Sequence, residues 1–98
     1  MTVVLEEEQG TVTIPEATLS ALVTRAAELV PGARVRRRRH VEVSITDRHV
    51  RVTLELAARY GTVLPELALA VQQEVRAALE AMCGVEVTAV DVAIEEVE

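Results

Sequence analysis

Residues 64–97 read LPELALAVQQEVRAALEAMCGVEVTAVDVAIEEV, and within that stretch the spacing of apolar residues changes from helical to alternating. Leu64, Leu67, Val71, Val75, Ala78, Leu79 and Met82 fall on one narrow arc when successive residues advance by about 100°, which predicts an amphipathic helix. Gly84 follows where such a helix stops. Val85, Val87, Val90, Val92, Ile94 and Val97 then set up a strand pattern whose apolar parity switches from odd to even, so a β-bulge is expected around Ala89. A helical stripe running straight into a strand needs one apolar layer shared between helix and sheet.

Upstream, Val41, Val43 and Ile45 alternate with Glu42, Ser44 and Thr46, while Val50, Val52, Leu54 and Leu56 alternate with Arg51, Thr53 and Glu55. A hairpin closed on Asp47-Arg48, or a four-residue loop in the same register, sets Ile45 opposite Val50, Val43 opposite Val52 and Val41 opposite Leu54. A one-residue slip would turn one strand's apolar set to solvent, so this register is strongly specified.

Further towards the N-terminus, Gly10-Thr11-Val12-Thr13-Ile14 alternates as a short strand. Pro15 suits a first helical position and Glu16 the positive end of the helix dipole. Leu19, Leu22, Val23, Ala26, Ala27 and Val30 then recur at helical spacing up to Pro31-Gly32. Thr2 to Leu5 could extend the sheet, but Glu6-Glu7-Glu8 makes residues 1–9 read as a flexible, solvated lead-in. The second helix is expected to start near Thr62, after Tyr60-Gly61. The expectation is a single domain over residues 1–98 of the α+β class. It is a two-layer sandwich in β-α-β-β-α-β order, with both helices on one face of a mostly antiparallel sheet. No internal repeat or low-complexity tract is evident.

Half the residues are apolar (50%), yet Tyr60 is the sole aromatic, so the core must be built from Val, Leu, Ile and Ala. The net charge of −6 argues against a general nucleic-acid binder and against adhesion to an anionic bilayer. All basic residues are Arg. A single cysteine, Cys83, cannot form an internal disulfide and suits a reducing cytoplasm. The acidic N-terminus is no signal peptide, and no apolar run approaches the ~20 residues of a membrane span. Direct membrane insertion is not expected.

Several stretches resemble one family. They are Gly10-Thr11-Val12-Thr13-Ile14-Pro15-Glu16, then Ala26-Ala27 leading to Val30-Pro31-Gly32, and then Tyr60-Gly61. Leu64-Pro65-Glu66-Leu67, Val71-Gln72-Gln73-Glu74-Val75, Met82-Cys83-Gly84-Val85 and Val90-Asp91-Val92-Ala93-Ile94 complete the set. Together they resemble the alkaline shock proteins, an envelope stress-response family of Gram-positive and related bacteria. Relatives usually carry Thr in place of Cys83 and often Asn in place of Asp91. The resemblance implies a cytoplasmic, non-enzymatic protein in envelope and general stress response. It further implies self-association and, in some relatives, attachment to the membrane through a small anchoring protein. The motif residues Gly10, Tyr60, Gly61, Pro65, Glu66, Gln72, Gly84 and Asp91 read as mainly structural.

The residues themselves offer few chemical candidates. Arg36, Arg37, Arg38 and Arg39, with Arg34 and Arg51 nearby, could meet nucleic acid, phosphate or an acidic partner. Continued alternation would turn Arg37 and Arg39 inward, so regular pairing is expected to break near His40. Stacking platforms for single strands need aromatics, and only Tyr60 is present, so a solvated strand end or a protein contact is the favoured reading. His40 and His49 are too few for a metal site and lie on the order of 20 Å or more apart along extended chain. Cys83 at a helix C-terminus faces a dipole that disfavours thiolate, so a small cap residue is favoured over a nucleophile. No catalytic triad, phosphate loop or metal-ligand spacing is present, and no cofactor is implied. Leu69 on the outer arc of the second helix, and Arg51 and Glu55 on the uncovered sheet face, are the candidate interaction residues. The leading expectation is a protein-binding, self-associating domain; the alternative is a binder of nucleic acid or acidic ligand through Arg34, Arg36, Arg37, Arg38 and Arg39.

Overall fold

A computed structural model describes residues 2–7, 10–35, 41–46 and 49–98. The elements run β1 (Thr2–Glu7), β2 (Gly10–Pro15), α1 (Glu16–Glu28), β3 (Ala33–Val35), β4 (Val41–Thr46), β5 (His49–Ala58), α2 (Leu64–Cys83) and β6 (Glu86–Val97). Strand β5 is the centre of the main sheet. Both β3 and β4 pair with it antiparallel, while β6 pairs with it in parallel. The parallel pairing follows from α2, which carries the chain back over the sheet before β6 begins. The class is α+β, with a mostly antiparallel main sheet, as the alternations imply.

The hairpin register is the expected one. Val41 lies opposite Leu54, Val43 opposite Val52 and Ile45 opposite Val50. The turn at 47–48 and the break expected near His40 lie outside the described residues. Leu54, Leu56, Val50 and Val52 of β5 are fully buried against Val23 of α1 and Val71, Val75 and Leu79 of α2, in one continuous apolar cluster. Arg51 and Thr53 face the opposite, exposed side. The bulge falls within one residue of its expected place: Val50 pairs with Val87 but Arg51 with Ala89, leaving Thr88 as the extra residue. The Thr88 hydroxyl donates to the Val50 carbonyl at 3.2 Å, so the interrupted ladder keeps a partner there.

Three expectations about the elements are corrected. Thr2–Glu7 is a strand rather than a solvated lead-in, paired antiparallel with Gly10–Pro15 so that Val3 meets Ile14 and Leu5 meets Val12. These two strands form a ribbon of their own, separate from the main sheet. Ala33–Val35 is an additional short strand, too brief for its alternation to register in sequence. The helix boundaries also shift. Pro15 is the extended N-cap of α1, and α2 begins at Leu64 with Val63 as its cap.

The apolar stripe of α2 narrows in three dimensions. Leu67, Val71, Val75 and Leu79 are buried, one every four residues, as a single ridge laid across the sheet. Leu64 and Met82 share the same arc but lie at the two ends of the helix and are exposed. Leu22 of α1 is likewise only half-buried, and Val97 is exposed at the end of β6.

A repeat absent from the sequence reading emerges at the two helix ends. Glu28 accepts a long hydrogen bond from the Val35 N–H (3.3 Å), and Glu80 accepts one from the Val87 N–H (3.4 Å), each seven residues on. Gly32 and Gly84 occupy the equivalent turn positions with positive φ. The shared pattern E-x-x-x-G-x-x-V therefore delivers each helix into the strand that follows it.

At one end of the sheet three segments are tied by backbone hydrogen bonds. Arg59 N–H donates to the Gly32 carbonyl (2.9 Å), Tyr60 N–H to the Glu98 carbonyl (2.6 Å), and Glu98 N–H to the Ala58 carbonyl (2.9 Å). Gly32 has φ +91°, and a Cβ there would stand 3.0 Å from Thr62 Oγ1. Both strain and contact disfavour any side chain, so Gly32→Ala should lower stability by about 1–3 kcal/mol in urea unfolding. Leu54→Ala, which empties the centre of the core, should cost about 2–5 kcal/mol. Leu69→Ala, on the exposed arc, should stay within about 0.5 kcal/mol of the parent.

Candidate interaction surfaces

The uncovered sheet face carries charges of both signs, and several of them are paired within the chain. Arg51 Nε lies 2.8 Å from Asp91 Oδ2, and His49 Nδ1 lies 3.5 Å from Glu86 Oε2. Arg34 donates to Glu98 Oε1 from Nε at 2.7 Å, with a second contact from Nη2. Each pair joins a basic residue on β3 or β5 to an acidic residue on β6 or just beyond it. Hydrogen bonding to Glu98, and then its charge, raises the Arg34 pKa; Asp91 does the same for Arg51. Glu55, half-buried on this face, is also partnered. Such exposed pairs contribute little stability, but they neutralise the surface that sequence had offered as a mixed-sign patch. Of the basic residues considered together, Arg34 and Arg51 are thus engaged, and Arg36, Arg37, Arg38 and Arg39 lie outside the described residues.

The motif residues are placed around the turns and helix ends. Gly10 opens β2 opposite Glu7. Tyr60 and Gly61 form the turn between β5 and α2, closed by the Thr62 N–H on the Arg59 carbonyl at 3.1 Å, and the Tyr60 side chain is exposed. Pro65 stands in the first turn of α2, where a missing N–H costs nothing, and Glu66 beside it is an acid at the positive end of the dipole. Gln72 is half-buried and its amide donates to the Val90 carbonyl at 3.0 Å, tying α2 to β6. Gly84 ends the helix in the left-handed conformation. Asp91 is the counter-ion of Arg51.

The helical layer is different. Leu69 is exposed, and it lines a recess of about 330 Å³ with Gln72, Arg76 and Asp91 beside β6. A second groove, of about 500 Å³, lies between the two helices, walled by Leu22, Leu29, Ala77 and Met82. Leu29 is 73% and Met82 68% exposed, among the most open large apolar side chains of the described residues. Sequence reasoning passed over both. Met82 was assigned to the core because it shares the stripe's angle, and Leu29 lies off the stripe of α1; both open into the groove between the helices.

Cys83 is half-buried beside Leu19, Leu79 and Val85, and burial pushes its thiol pKa up. Among the described residues no group of three or more His, Cys, Asp or Glu could hold a metal ion. His40 lies outside them, and His49 faces Glu86. No helix of the described residues is long and apolar enough to cross a membrane.

Three solved structures of the MamM CTD share this fold. A double-alanine variant superposes with a TM-score of 0.58 at 19% identity, covering 84% of this chain and 94% of that one. A cadmium form gives 0.58 at 20% identity over 84% and 96%. The fragment 215–293 gives 0.57 at 18% identity over 82% and 96%. No curated protein matches the chain in sequence. The sequence profile of the alkaline shock protein 23 family, described as having a cell envelope-related function, matches residues 33–98. That span runs from β3 to the end of β6 and includes the Tyr60-Gly61 turn, the Gln72 tie, the Gly84 cap and the Arg51–Asp91 pair, and this chain belongs to that family.

Proposed function

We propose that this chain is a non-enzymatic interaction protein of envelope homeostasis, acting in the cytoplasm under stress by binding itself and other proteins. The family match over residues 33–98, with its cell envelope-related function, is the observation that carries this reading. The surface supports it. On the sheet face Arg34 and Arg51 are paired within the chain, whereas the helical layer leaves Leu29, Leu69 and Met82 open to water, and exposed apolar surface of that kind is what protein partners cover. A small membrane-anchoring protein is the natural partner for a chain whose described helices are too short or too polar to span a bilayer.

Light scattering across a concentration series should show the mean mass rising above that of one chain. Pulldown from stressed cells should recover the chain with defined envelope partners. A strict monomer with no partner would sink the reading. A mobility shift with RNA or DNA at low salt that disappears when Arg36, Arg37, Arg38 and Arg39 become Gln would replace it with a basic-patch function. Cys83, half-buried and with its thiol pKa raised by burial, should react slowly with iodoacetamide at neutral pH. Rapid labelling of the native protein would reopen a nucleophilic role.

A further inference from the structure

The groove between the helices sets an unpaired charge of each sign beside open apolar side chains. The two helices run antiparallel: Gly32, after α1, stands against Thr62, before α2, while Leu19 near the start of α1 lines the same core crevice as Cys83 at the end of α2. Arg25 lies on the α1 wall of the groove and Glu74 on the α2 wall, flanking the apolar floor that Leu22, Leu29, Ala77 and Met82 provide. Neither Arg25 nor Glu74 makes a hydrogen bond or ion pair among the described residues, in contrast to Arg34 and Arg51 on the sheet face. The groove thus presents one cation, one anion and an open apolar strip, with the two signs on opposite walls.

A groove built this way is complementary to its own image. A twofold axis running along the groove exchanges its walls, laying α1 of one copy over α2 of the other. Each Arg25 then meets the partner's Glu74, and Leu29 and Met82 are covered by the facing α2 and α1 of the other copy. In an isologous contact the same patch serves both subunits, and opposite charges placed across it set orientation. We propose that this groove is the surface through which two copies of the chain dock, about a twofold axis along the helices. The inference rests on the self-association reading above and names its site.

Sedimentation velocity over a concentration series tests it, with thermal unfolding as the control for folding. Leu29→Asp and Met82→Asp, both at open positions, should weaken self-association by about tenfold or more while leaving the melting temperature within a few degrees. Arg25→Glu and Glu74→Arg should each weaken it as well, because either change sets like charges face to face across the axis. The double variant Arg25→Glu/Glu74→Arg restores both contacts with the signs reversed and should recover association to about the parent's level. A parent that associates while all the groove variants associate equally well overturns the groove and leaves self-association standing. Weakened single variants without recovery in the double overturn the twofold arrangement. A parent that stays monomeric throughout overturns self-association itself, and the groove would then belong to a different protein.

Discussion

Val50, Val52, Leu54 and Leu56 project from the one strand to which every other strand of the main sheet pairs, and all four are fully buried under the helices. Their burial orders the rest. Because side chains alternate strictly, turning these four inward turns Arg51 and Thr53 outward and commits β4 and β6 to matching faces. β3 and β4 share one edge of β5 and β6 takes the other, so the helices need cover only one narrow apolar strip. A core of Val, Leu and Ala suits that strip. Without large aromatics, the four-residue ridge of α2 can lie close on the sheet.

That arrangement gives the molecule two unlike surfaces. Strands brought side by side carry basic residues on β3 and β5 and acidic ones on β6, so Arg34 pairs with Glu98 and Arg51 with Asp91, and His49 lies beside Glu86. The helices pack on the sheet through one face and leave their outer flanks bare, which is where Leu29, Leu69 and Met82 sit. The family to which the chain belongs is described as having a cell envelope-related function; the fold shared with the MamM CTD structures adds architecture alone.

Much of the fold was legible because its signals are local. The alternation in residues 41–56 was enough to set the hairpin register, and the parity change between Val87 and Val90 located the bulge. Leu69 was correctly placed on the outer arc. The ribbon was less legible, since Glu6 and Glu7 masked a strand that exists by pairing with residues 10–15. Met82 misled for a geometric reason. Helical angle alone says which way a side chain points around the axis, but burial also requires a neighbour that covers it, and Met82 opens into the groove between the two helices. The carboxylates of Glu28 and Glu80 were invisible as caps because their partners are strand amides placed by the turns at Gly32 and Gly84.

The sequence by itself determined the class of both helices and of β4, β5 and β6, the faces that β4 and β5 bury and the pairing between them, because periods of two and of about 3.6 residues are properties of neighbouring positions. Only the tertiary structure decided that β6 lies parallel along the second edge of β5, which cations meet which carboxylates, and which apolar residues stay in water. Arg51 and Asp91 are 40 residues apart and Arg34 and Glu98 are 64; no local pattern links them, and they meet because the packing of two helices on one sheet carries their strands to the same place.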